Sequence, residues 1–296
     1  MYSKKLISIF KKLESKISYL DIGAREDLLE PWRSLEPYLS VVGFEPDPIE
    51  IKRLKKLYPQ RKYFDTALFS SESEQTLFET IIGSQSSIYP MNDSIKQFET
   101  QHWEGRLVKD RHKLNTRDLD QYTDSISPDI IKIDTQGSEY AILTGAKNML
   151  KSHSPLLFLE TWCHEVYKGA PLMHEIIDLL YSEGYELWEV STAAAWRYEH
   201  PVTQNTKFKQ RLIGLNLLMI PNEKKLLDLP SSKRIKYSLV FALYGYYDIA
   251  LLLLKNTNDE LYADLESFIK NEKKITTRLK YKILALFGIK KFPPLT

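Results

Sequence analysis

Between residues 17 and 220, short β-rich apolar runs alternate with stretches of helical periodicity. That alternation constrains the fold of this 296-residue chain more than any other feature. The predicted strands are Ile17–Ile22, Leu39–Glu45, Lys62–Leu68, Asp129–Asp134, Pro155–Glu160, Tyr185–Val190 and Leu212–Ile220. The fourth and fifth are nearly unbroken apolar runs, the pattern of strands buried on both faces of a parallel sheet. Helices are predicted at Glu26–Leu39, Pro48–Tyr58, Ser138–Lys151 and Leu172–Glu183. Pro48 suits a first turn and Gly184 a C-cap. The rhythm predicts an α/β fold: a doubly wound, mostly parallel Rossmann-like sheet with helices on both faces.

Residues 69–128 break the rhythm. They are rich in Ser, Gln, Asp and Thr, and a compact domain usually uses so long an insertion as a lid or binding loop. After Pro221 the pattern is purely helical, with candidates at Ser231–Lys255, Asp259–Lys270 and Lys273–Phe287. The expected division is therefore a sheet domain over 1–220 and a helical region over 221–296. Charge divides the chain at the same place: residues 221–296 hold 14 Lys/Arg against 8 Asp/Glu, and residues 1–220 hold 27 against 31. No basic stripe runs through the body, which argues against nucleic acid as its partner. The run Leu239–Leu254 contains Gly245 and Asp248 and is too short for a membrane span, so it reads as a buried or partner-facing helix. The single cysteine, Cys163, forms no internal disulfide and fits no zinc spacing. The lysine-rich N-terminus lacks the form of a secretory signal. Both facts favour a cytoplasmic protein.

Ligands of open α/β sheets bind beyond the carboxyl ends of the strands, where the strand order reverses. Polar residues and glycines gather at four such ends here. The first strand ends in Asp21-Ile22-Gly23-Ala24, and the second in Gly43-Phe44-Glu45-Pro46-Asp47. A carboxylate at the second strand end is placed to grip the two hydroxyls of a ribose. The glycines that would cradle a pyrophosphate are missing: Arg25, Glu26 and Asp27 follow Ala24. Added acids repel phosphates and suit a cationic nucleoside without them, of which S-adenosylmethionine is the common one. The competing reading is a plain strand–helix turn with a solvated Glu45. The fourth strand runs through Asp134 into the elbow Thr135-Gln136-Gly137, with Ser138 a candidate N-cap and Glu139 in the first turn. The fifth ends in Glu160-Thr161-Trp162-Cys163-His164.

These segments, together with Ser84–Ile88, Thr116–Leu119 and above all Ile131–Ala146 (IKIDTQGSEYAILTGA), resemble the FkbM-type family of S-adenosylmethionine-dependent methyltransferases over residues 17–220. The resemblance implies Asp21, Gly23 and Glu45 at the cofactor, and Asp134 where cofactor and acceptor meet. Ala24, Pro46 and Asp65 complete the expected cofactor-binding set. The chain departs from the family pattern at Arg25 and Asp27, where Asn and Gly are usual. The resemblance also implies O-methyl transfer to a hydroxyl of a glycan or related natural product.

A hydroxyl needs a base within hydrogen-bond reach, or a metal that lowers its pKa. His164, just beyond the fifth strand, is the preferred base, and His102 in the insertion is the second candidate. Asp134 serves either as a base or, with Glu160 or Glu139, as a ligand for a divalent cation, which no spacing compels. Ser87, Trp103, Glu160 and Trp162 are the expected substrate-binding residues, the tryptophans offering flat faces to a sugar. Core packing is the equal alternative for those rings. The tail Lys270–Thr296 has eight basic residues and one acid, Glu272. It reads as a basic amphipathic helix on an anionic membrane surface, or as a helix packed on the body or in a homodimer. Two rival functions stay open: an RNA methyltransferase anchored by this tail, and a non-catalytic partner-binding module that keeps the fold.

Overall fold

The computed structural model describes residues 4–99, 102–198, 200, 202 and 208–286, and of residues 4–5 and 274–286 the backbone only. It divides into two compact units, residues 16–226 and residues 1–15 with 227–296. Residues 1–15, expected with the sheet, group instead with the C-terminal helices.

The first unit opens with strand β1 (Ile17–Ile22), which pairs in parallel with β2 (Leu39–Phe44), and β2 pairs in parallel with β3 (Lys62–Phe64). The chain then leaves this sheet. β4 (Ala67–Leu68), β5 (Ser73–Thr80) and β6 (Val108–Arg117) form a separate three-stranded sheet in the order β4-β6-β5. It returns as β7 (Ile130–Ile133) on the far side of β1, then β8 (Leu156–Trp162), both parallel. β9 (Tyr185–Trp196) and β10 (Arg211–Pro221) close the sheet, with β10 antiparallel to both β8 and β9. The order β3-β2-β1-β7-β8-β10-β9 reverses between β1 and β7. This is the expected Rossmann-like, mostly parallel α/β sheet, and its switch point sits between Asp21 and Asp134. Leu20, Ile22, Ile131, Ile133, Leu157 and Leu159 form a continuous apolar layer on one face of the sheet, all at most 1% exposed.

Several predicted elements differ in form. The Glu26–Leu39 helix shrinks to one turn at Trp32–Leu35 and a 3₁₀ turn at Glu36–Tyr38, because Pro31 disfavours helix at the residue before it and removes a donor. The predicted Lys62–Leu68 strand divides between two sheets. The insertion, expected as a lid or loop, contains a regular antiparallel pair. Both its strands carry polar side chains on both faces, which erases the period-2 signal. The Ser138–Lys151 helix breaks into Glu139–Thr144 and Lys147–His153 at Gly145, where a Cβ would lie 2.5 Å from the Phe69 carbonyl oxygen.

In the second unit, the predicted Ser231–Lys255 helix is two helices, Ser231–Leu243 and Tyr247–Leu254. The two predicted C-terminal helices are one, Asp259–Leu286. Lys12 pairs with Glu260 at 2.6 Å and Asp264 at 2.5 Å, which ties the N-terminal segment to that helix. The side chains of the basic tail from residue 274 onward lie outside the described residues. Among the described residues no helix is long and apolar enough to cross a membrane.

Candidate active site at the strand ends

At the switch point, strand alternation aims three charged side chains at one spot. Asp21 on β1 is opposite Lys132 on β7. The Lys132 ammonium sits 3.2 Å from Asp21 Oδ1, 3.6 Å from Asp134 Oδ2 and 3.3 Å from the Gly23 carbonyl oxygen. Desolvation opposes the charge of Lys132, but Asp21 and Asp134 outweigh it and raise its pKa. Asp21 is 6% exposed, and burial raises its pKa despite Lys132. Gly23 turns the chain at φ +81°, and a Cβ there would lie 2.0 Å from the Asp134 carbonyl oxygen. Only glycine lets the two strand ends approach so closely.

The elbow after β7 is held from every side. Gln136 has a left-handed backbone, φ +59°, a strained conformation of the kind that clusters at functional sites. The Ser87 hydroxyl donates to its carbonyl at 2.7 Å. Glu139, 1% exposed, accepts from the Thr135 and Gly137 amides at 2.8 and 2.9 Å. Glu139 is therefore the elbow's internal brace rather than a metal ligand. Ser138 stands at the N-cap position but makes no capping bond. Gln136 Nε2 donates to Asp134 Oδ1 at 3.0 Å and to Glu160 Oε2 at 2.7 Å, and its Oε1 accepts from the Tyr167 hydroxyl at 2.7 Å.

Asp134 and Glu160 thus form a linked carboxyl pair. Burial and the neighbouring Asp134 charge push Glu160 up to about 9. Burial acts against Asp134 too, but Lys132, the Glu160 carboxyl and Gln136 hold it below the usual carboxylate range. At neutral pH the pair therefore holds one proton between its two carboxyls. Among the described residues, no third His, Cys, Asp or Glu completes a metal-ligand set around this pair. Such a set occurs instead on the small sheet, at Glu79, Asp110 and His112.

The β2 end supplies Glu45, 5% exposed, whose Oε1 accepts the Asp47 amide at 3.0 Å. Burial raises its pKa to about 7. The two departures from the family pattern are both engaged. Arg25 reaches Asp47 at 3.0 Å and Glu45 at 4.0 Å, and Asp27 pairs with Arg61 at 2.9 Å and Arg33 at 3.1 Å. Asp21 Oδ1 is buried against the Lys132 ammonium at 3.2 Å. The acids at the β1 and β2 ends suit a cationic nucleoside, with Glu45 in position for ribose hydroxyls.

The other expected residues are placed differently. Ala24 packs into a small core with Ile51, Leu54 and Tyr63 rather than facing a ligand. Pro46 is half-buried beside Glu45, and Asp65 is exposed past β3. Ser87 spends its hydroxyl on the elbow. Trp103 and Trp162 lie in a buried cluster with Phe98, Val166 and Tyr167, so neither ring is an exposed platform. His102 is exposed at the start of the Trp103–Arg106 turn. His164 accepts at Nδ1 from Arg211 at 3.2 Å and stacks edge-on with Phe98. Desolvation and Arg211 lower its pKa. Its lone pair is already engaged by a guanidinium, which disqualifies it as the base. Sequence reasoning missed Lys132 and Gln136. A lysine inside the apolar run Ile131–Ile133 was the available signal, since a buried ammonium requires an acid beside it.

The Methyltransferase FkbM domain family matches residues 21–187. Comparison with curated proteins finds no match. Similar solved structures include a methyltransferase FkbM from Methylobacillus flagellatus KT, at 15% identity and TM-score 0.39 over 73% of this chain and 48% of that one. The chain thus spans about half the length of that protein. A TehB-like SAM-dependent methyltransferase from Corynebacterium glutamicum is similar at 11% identity and TM-score 0.35, over 74% of this chain and 88% of that one. A magnesium protoporphyrin IX methyltransferase from Synechocystis, solved with bound SAM, is similar at 9% identity and TM-score 0.37, over 74% and 79%. The matched family segment runs from Asp21 through the elbow into β9, over half of the sequence, and the chain belongs to the FkbM-domain family of S-adenosylmethionine-dependent methyltransferases.

Proposed function

We propose that the protein transfers a methyl group to a hydroxyl oxygen of a glycan or related natural product. The observation that carries this reading is the Asp134–Glu160 carboxyl pair, bridged by the Gln136 amide at the switch point. An alcohol is a poor nucleophile at neutral pH and needs a proton acceptor within reach. When bound, S-adenosylmethionine supplies a methyl group on a sulfonium, a good leaving group, so most of the protein's work is positioning. Glu45 holds the ribose, and the acids at the β1 and β7 ends favour the cation. Asp134, ionised beside Lys132, accepts the hydroxyl proton at its carboxylate. Glu160, already protonated, donates a hydrogen bond to Asp134 and spreads the charge of the pair.

The test is transfer from a labelled methyl donor across a panel of neutral and acidic glycans, with the product bond assigned by NMR. Label on oxygen, lost in Asp134→Asn with cofactor binding retained, is the expected result. Label on nitrogen or carbon, or unchanged turnover in Asp134→Asn, overturns the reading.

A further inference from the structure

A cavity of about 210 Å³ lies on the insertion side of the sheet unit, separate from the rim just described. Its walls include Phe78, Met91 and Trp103, and its charged lining is three cations, Arg106, Arg111 and Lys168, against one acid, Asp93. It is small against the roughly 300–1,000 Å³ of drug-sized pockets, so its occupant is about one sugar ring in size.

Arg106 is the unusual wall. It is 6% exposed, and both Nε and Nη1 are buried without a hydrogen-bond partner. Its counter-ion Glu99 is 1% exposed and stands 3.8 Å from Nε, close enough to balance charge but beyond a hydrogen bond. Its guanidinium carbon lies 5.0 Å from the Trp196 ring centroid, which fixes the side chain in place. A guanidinium presents five donors in a planar fork, and buried donors left unmade are costly. Fork geometry of this kind matches a planar or tetrahedral oxyanion. The other cations are differently engaged: Lys168 pairs with Asp93 at 2.9 Å, and Arg111 lies 5.4 Å from the Phe78 ring centroid.

One packed cluster links the cavity wall to the elbow. Met91 and Trp103 belong to the same packed cluster as Tyr167, whose hydroxyl holds Gln136 against the carboxyl pair. Asp21 and Asp134, offset only in part by Lys132, leave the rim acidic, so an acidic acceptor needs its charge bound away from them.

We propose that this cavity holds an oxyanion-bearing, sugar-sized group of the methyl acceptor, with Arg106 as its principal contact and Arg111 as a rim contact. The assignment rests on the methyltransferase reading above. It names an acidic acceptor, carrying either a carboxylate or a phosphate ester, where a neutral one would find no use for the cations.

The experiment measures binding of D-glucuronate, glucose 6-phosphate and neutral glucose to the full chain by ligand-observed NMR, with S-adenosylhomocysteine titrated calorimetrically in the same preparations. At least one anionic probe is expected to bind and glucose is not, with affinity falling as salt rises. The preference between glucuronate and glucose 6-phosphate tells a carboxylate from a phosphate ester. Arg106→Met paired with Glu99→Gln, which leaves no lone buried charge, should weaken anion binding at least about tenfold, the loss of one charge-assisted hydrogen bond. Exposed Arg111→Gln should weaken it several-fold, and that variant decides the matter if the double variant does not fold. Equal binding of glucose and glucuronate, absence of anion binding, or full affinity in the folded variants overturns the proposal. S-adenosylhomocysteine uptake without anion binding overturns the cavity assignment alone. Anion binding without S-adenosylhomocysteine uptake overturns the acceptor role and the methyltransferase reading beneath it.

Discussion

The Tyr167 hydroxyl donates to Gln136 Oε1 at 2.7 Å, and this bond decides which way the Gln136 amide faces. With its oxygen held, the amide must present its N–H groups to Asp134 and Glu160. Tyr167→Phe releases that constraint and allows the amide to flip, placing an oxygen against the carboxyl pair. The expected result is a fall in kcat larger than any change in KM, with a shifted pH–rate profile, alongside a stability loss of about 1 kcal/mol. An unshifted profile would mean that the bond only supports the elbow.

Glu160 retains its proton up to about 9 in the folded protein, against an ordinary value of 4.5. Between those values the unfolded chain has released the proton and the folded chain has not. Stability contributed by this group is therefore complete below about pH 4.5 and is lost as pH rises toward 9. Glu160→Gln mimics the protonated acid and should flatten that decline. Denaturant midpoints measured from pH 5 to pH 9 check it: the wild type falls more steeply than the variant.

Glu45, raised by burial to about 7, should make cofactor affinity pH-dependent. Ribose hydroxyls donate to a carboxylate, so binding favours the ionised form and releases a proton on the acid side of neutrality. Calorimetry should find S-adenosylhomocysteine binding tighter at pH 8 than at pH 6, and Glu45→Gln should remove the difference. At pH 8, Glu45→Ala should cost roughly 10–150-fold, equivalent to about 1.5–3 kcal/mol. An unchanged affinity removes Glu45 from the ribose site.

Gly23→Ala combines two penalties, a left-handed backbone and a Cβ 2.0 Å from the Asp134 carbonyl oxygen. The contacted atom is backbone at the next strand end, so relief requires β1 and β7 to separate. The variant should lose about 3 kcal/mol or more, and cofactor binding should fall with it, because Asp21 and Asp134 move apart. A thermal midpoint close to wild type would show that the crevice is wider than the geometry requires.

Much of this protein is legible before folding. Nearly unbroken apolar runs and helical stripes of period 3.6 are local properties, so the strands, their burial on both faces and the Rossmann-like class follow from them. The acids at the β1, β2, β7 and β8 ends are legible for the same reason, since strand ends are where such a sheet exposes ligand-facing groups. What local pattern does not carry is the partner of each side chain. Period alone reads Trp103 and Trp162 equally as platforms or core, and only the packing around Tyr167 makes them core. His164 looks like a base until Arg211, 47 residues away, takes its lone pair. Lys132, Gln136 and Arg106 become important through groups distant in sequence: Asp21, Glu160 and Trp196. Hydrogen bonds and desolvation act across space, so they are settled only when the chain has brought those groups together.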